Sequence, residues 1–126
     1  MRSSPKHVYN VASKILLDKS ADVPEKIAFV DDFDSISYLH LKNKVQSFSK
    51  SLLNLGLKKN DRIILCMFDC INYPISFLGS IWAGIIPICV NTMLQKKDLK
   101  YMLKDSEARA VICSKELVNV FLELKE

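Results

Sequence analysis

The chain has 126 residues, 49% hydrophobic and 25% charged, with only three Gly and four Pro. Those proportions describe one globular domain, residues 1–126, able to bury a core without metal or disulfide staples, and they exclude disordered and collagen-like classes. The formal charge of +4, from 18 Lys and Arg against 14 Asp and Glu, is spread as scattered lysines and is too dilute for a nucleic-acid partner.

The first ten residues are polar and lack the apolar centre of a signal peptide, which points to the cytoplasm. From Asn10 to Lys19, Val11, Ile15 and Leu16 recur at helical spacing and predict a short amphipathic helix that stops before Ser20. Ile27 to Val30 reads as a strand, Asp31 to Asp34 as a turn and Ser35 to Tyr38 as a returning strand, together a β-hairpin. Leu41, Val45, Phe48, Leu52 and Leu55 then mark one face of a long helix, closed by Gly56 in a left-handed cap.

Beyond Gly56 the period changes. Ile63 to Met67 is a continuous apolar run, as a strand covered on both faces requires. A helix from about Tyr73 to Ala83 follows, with Asn72 as its N-cap, and Gly84 leads into a buried strand from Ile85 to Val90. A second helix, about Gln95 to Ser106, directs Leu99, Met102 and Leu103 inward and leads to the strand Ala110 to Cys113. Ser114 is expected to cap a last helix reaching toward Glu126. The order predicts an α/β fold: a parallel β-α-β-α-β layer preceded by a helix, a hairpin and a long amphipathic helix. No charge occurs between Asp69 and Lys96, but Gly84 and Pro87 would break a helix there, so a buried helix and strand explain the gap better than a membrane span.

Chemical constellations are scarce. His7 and His40 stand apart from any nucleophile pattern and read as surface histidines. Cys66, Cys70, Cys89 and Cys113 lie in or beside apolar runs, as buried reduced thiols do. Cys66 and Cys70 lack the second ligand pair that zinc needs. Gly79 and Gly84 have phosphate-loop spacing, but Ile85 and Ile86 stand where Lys and a hydroxyl must follow. Asp31, Asp32 and Asp34 read as a solvated turn in preference to a calcium loop. No catalytic and no metal-binding residue is assigned.

Ordered motifs nonetheless carry a resemblance. Ile36-Ser37-Tyr38-Leu39-His40-Leu41 resembles the first motif of the adenylate-forming superfamily, and Ile81 to Asn91, with Ala83-Gly84 and Pro87, resembles the second. Leu55-Gly56-Leu57 and Asp61-Arg62-Ile63 match the link between them; Asn60 replaces a usual Gly and can adopt the same left-handed turn. Asp31-Asp32, Leu65-Cys66-Met67 with Asp69, Pro74, Phe77-Leu78-Gly79, Val90-Asn91-Thr92, Tyr101-Met102-Leu103 and Asp105-Ser106 resemble the benzoate-CoA and other aryl-CoA ligases.

The resemblance implies the N-terminal part of the large domain of an ATP-dependent acid-CoA ligase. Its parent would use ATP, Mg and CoA on a small, aromatic carboxylic acid, while this chain alone would hold no cofactor and be inactive. In such relatives the phosphate loop, magnesium motif and catalytic Lys lie further along than Glu126. Lys96 and Lys97, in the loop that CoA-using relatives often make basic, are the candidate CoA contacts; a solvated first helical turn is the plainer reading. The expected partners are the remainder of the large domain and a second copy. A stand-alone binding or regulatory module that kept the fold is the alternative.

Overall fold

A computed structural model describes residues 9–125. His7 lies outside them. Helix α1 (Val11–Asp22) starts where the Asn10 carboxamide oxygen accepts the Ser13 N–H, and runs three residues past its expected end, because the Val23 N–H still reaches the Lys19 carbonyl. Its buried positions are Ala12 and Leu16, whereas Val11 and Ile15 face solvent. Strands β1 (Ile27–Val30) and β2 (Ser35–Ser37) form the antiparallel hairpin. Tyr38 belongs to helix α2 (Tyr38–Asn54) instead of the strand, since the Ser37 hydroxyl accepts the His40 N–H and starts the helix there.

Leu41, Val45 and Leu52 are buried on α2 as the period requires, but Leu55 is 77% exposed and Leu57, beyond the turn, is buried in its place. Gly56 takes φ +98° and Asn60 φ +72°, the left-handed conformations expected of both. Helix α2 lies against α3 (Asn72–Trp82) so closely that a Cβ on Gly79 would come within 2.6 Å of Phe48 Cδ2. Packing therefore accounts for that glycine. Asn72 is inside α3 and is not its cap; the N-cap position is Ile71, which has no side-chain oxygen to offer.

Strands β3 (Arg62–Cys66), β4 (Ile86–Cys89) and β5 (Ala110–Cys113) form a parallel sheet in the order β4-β3-β5. Ile63 and Leu65 face the layer of α2 and α3. Ile64 and Cys66 face α4 (Lys96–Ser106) and α5 (Val118–Glu123). This α/β architecture is the expected one, with β3 covered on both faces and paired at both edges. The strand β4 is less buried than expected: Ile86 and Cys89 are exposed because β4 is an edge. The chain's last described segment also differs, being a 3-10 turn (Lys115–Leu117) followed by short α5. Ser114 makes no side-chain cap there; its hydroxyl accepts the Phe68 N–H instead. No helix among the described residues is long and apolar enough to cross a membrane.

Candidate functional site

The candidate site begins with the hairpin turn. One Asp31 oxygen accepts the N–H groups of Phe33 and Asp34, both at 2.8 Å, and closes the turn on itself. The other accepts the Ile71 N–H at 2.9 Å. Ile71 opens α3, so a carboxylate from a distant hairpin satisfies a helix start that its own sequence leaves without a side-chain cap. These N–H groups, Ile71 first and then Phe33 and Asp34, hold the Asp31 carboxyl below its ordinary value.

Tying the hairpin to α3 encloses a cleft of about 760 Å³. Phe29 and Val30 of β1 form one wall, and Tyr73, Pro74 and Phe77 of α3 the other. Asp69, Cys70 and Ile71, which follow β3, and Cys89, the last residue of β4, form the floor. The cleft thus sits beyond the carboxyl ends of two parallel strands, where open α/β sheets place ligands. Burial, then a hydrogen bond with the Cys89 thiol and the charge of Asp69, push the Tyr73 hydroxyl up to about 12.

The lining is aromatic and aliphatic, with Asp31, Asp32 and Asp69 as its charges and no Lys or Arg. Such a surface suits apolar side chains or a flat apolar group and repels phosphates and carboxylates. Tyr73 stays protonated and Asp31 ionised at neutral pH, so neither is set to exchange protons there. The glycines do not fit a triphosphate either: Gly56 and Gly84 make single turns and Gly79 is inside a helix.

Lys96 and Lys97 lie elsewhere, in the first turn of α4, after a turn in which the Asn91 side chain accepts the Met93 N–H. Lys96 pairs with Glu123 of α5 and Lys97 is exposed. His40 is exposed near the start of α2 and lines a second hollow with Lys44, Asp31 and Asp34. Of the cysteines expected to be buried, Cys66 is; Cys70 and Cys113 are half-buried, and Cys89 is exposed because its strand end opens on the cleft. Sequence reasoning singled out Asp31, Asp32, Asp69, Pro74 and Phe77 as parts of a resemblance, but not the cleft they share. Cys89 was read only as a thiol within the second motif and Tyr73 only as a helix start, since the fold alone brings them together.

A family model described as "AMP-binding enzyme" matches residues 17–126. The benzoate-CoA ligase of Thauera aromatica is 40% identical over 97 residues, which are 76% of this chain and 18% of that protein. The 4-hydroxybenzoate-CoA/benzoate-CoA ligase of Rhodopseudomonas palustris is 40% identical over 98 residues, 78% of this chain and 18% of that one. Among solved structures, a benzoate CoA ligase from Burkholderia xenovorans LB400 superimposes with a TM-score of 0.87 at 36% identity, covering 93% of this chain and 24% of that chain. The chain therefore spans about a fifth of the length of these relatives.

Proposed function

This chain belongs to the AMP-binding enzyme family, and on that premise we propose that it is the N-terminal part of the large domain of an ATP-dependent acid-CoA ligase, acting on a benzoate-like acid in the cytoplasm. In that reaction the acid's carboxylate attacks ATP, giving an acyl-adenylate and pyrophosphate, and the CoA thiol then displaces AMP. The observation that carries the reading is the 0.87 superposition at 36% identity over nearly the whole chain, with a benzoate CoA ligase.

The role of this part is architectural. It supplies one α/β layer and the apolar cleft, while ATP and Mg are bound by the remainder of the enzyme. Two features favour that remainder as its partner. The N–H groups of Ile86 and Val90 point to β3, so alternation turns Pro87 outward, and Pro87 has no N–H to offer a further strand beyond β4. The Ser114 N–H reaches the Cys66 carbonyl, so alternation along β5 turns the N–H groups of Ala110 and Ile112 to β3 and leaves those of Val111 and Cys113 facing out. Helix α5 packs on the same sheet face as α4, so a right-handed crossover continues past β5 and not past β4.

Lys96 and Lys97 remain the proposed CoA contacts in the assembled enzyme. Both are exposed beyond the carboxyl end of β4, and the Lys96 pair with Glu123 is a surface pair of small worth that phosphate can displace. Replacing both with Ala should raise KM for CoA and leave KM for ATP unchanged; equal effects on the two would reject the assignment. For the activity itself, the full-length protein should catalyse acid-dependent exchange between pyrophosphate and ATP, and the 126-residue chain should not. Exchange by the short chain would show that it carries the chemistry itself.

A further inference from the structure

Cys66 and Cys113 end neighbouring parallel strands and are register partners. Both side chains belong to the cluster under α4 and α5, so they stand side by side on one face. Register partners in adjacent parallel strands keep their Cβ atoms near the strand spacing, about 4.8 Å. A disulfide wants them about 3.8 Å apart. A bridge one atom longer, sulfur-X-sulfur, spans that separation without pulling β3 and β5 together.

The choice of X follows from the neighbourhood. Among the described residues no three His, Cys, Asp or Glu side chains are grouped to hold a metal ion. A tetrahedral metal would therefore be short of ligands. A trivalent organoarsenical needs two sulfurs only, its third valence being carbon, and it is soft as thiol ligands prefer. We propose that Cys66 and Cys113 form a dithiol site that takes one organoarsenical(III) group, both sulfurs bound to the same arsenic atom.

The step balances without an oxidant. From R–As(OH)2, two As–O and two S–H bonds break, two As–S and two O–H bonds form, two waters leave, and arsenic keeps its oxidation state. Cys113, half-buried on the edge strand under short α5, reacts first; the ring then closes on Cys66. Burial pushes both thiols up, and Cys113 adds to the rise at Cys66, so both are protonated at neutral pH and slow toward one-thiol reagents. Occupancy joins the ends of β3 and β5 where the Ser114 hydroxyl already holds the Phe68 N–H at 2.8 Å, just before the turn that floors the cleft. The site is independent of the ligase reading.

The test uses phenylarsine oxide on the 126-residue chain. Cys70 and Cys89 both line the cleft and are the competing pair. The Cys70→Ser/Cys89→Ser variant should take one arsenical per chain by intact mass, released by a dithiol and resistant to excess monothiol. Cys113→Ser, at a half-buried position, should lower affinity by about 100-fold or more through loss of the second arm, with its circular dichroism unchanged. No adduct on the first variant, or undiminished binding by Cys113→Ser, overturns the site. A Cys66–Cys113 disulfide formed readily with diamide would overturn the one-atom geometry.

Discussion

Strand β3 and strand β1 of the hairpin are both short and apolar, yet they are held in opposite ways. Ile63, Ile64 and Leu65 are fully buried between two helical layers and two flanking strands. In the hairpin, Val30 is 71% and Phe33 95% exposed. Only Ile36 of β2 reaches deep into the core, and Asp31 fastens the turn to α3. The difference teaches that this chain has a complete core and an incomplete wall. Its centre is stabilised by its own residues, while the hairpin presents apolar surface of the kind that further protein covers.

Substitution should expose that contrast most sharply. Ile64→Ala should cost about 2–5 kcal/mol in urea unfolding, the range for a buried aliphatic truncated in a packed core. Val30→Ala should stay within about 0.5 kcal/mol, as exposed positions do. Comparable losses at the two sites would break the comparison.

Gly79→Ala comes next. The added Cβ would meet Phe48 Cδ2 at 2.6 Å, so overpacking of α2 against α3 should cost about 1–3 kcal/mol. Phe48→Leu in the same chain should recover part of that loss, and no recovery would place the strain elsewhere.

Asp31 sharpens the hairpin side. Its folded carboxyl lies below its unfolded value, so its contribution is complete above the ordinary carboxylate range and disappears as pH falls through the folded value. Asp31→Asn should remove that acid-limb dependence and speed amide exchange at Ile71, Phe33 and Asp34, with β3 amides unchanged. Exchange that rises equally in β3 would mean that the hairpin and core open as one unit.

The smallest effect concerns association. The outward N–H groups of β5 should let the 126-residue chain pair with a second copy, and Val111→Pro, which removes an outward N–H without touching a bond to β3, should shift light scattering toward monomer. An unchanged mass would mean that β5 is not the contact.

The parallel layer was legible because each strand is a local apolar run and each helix carries its own period. Ala110 to Cys113 has the expected boundaries, and Gly56 and Asn60 take the expected left-handed turns. Boundaries slipped where a side chain chose between neighbours: Ser37 turned Tyr38 into helix, and Ser114 served Phe68 in place of a helix start. The cleft was not legible. Asp31 reaches Ile71 across forty residues and Tyr73 meets Cys89 across a crossover, pairings that no local period encodes. Asp31, Asp32, Asp69, Pro74, Phe77 and Cys89 were visible as scattered members of a resemblance, Phe29 and Val30 as a strand, and Cys70 as a lone thiol.

The ligase reading is tested most directly by specificity constants of the full-length protein for benzoate, 4-hydroxybenzoate, acetate, hexanoate and palmitate with ATP and CoA. The account predicts thioester formation with a clear preference for the benzoate-like acids. A clear preference for an aliphatic acid would contradict the aryl assignment, and AMP release independent of any acid would contradict the ligase itself.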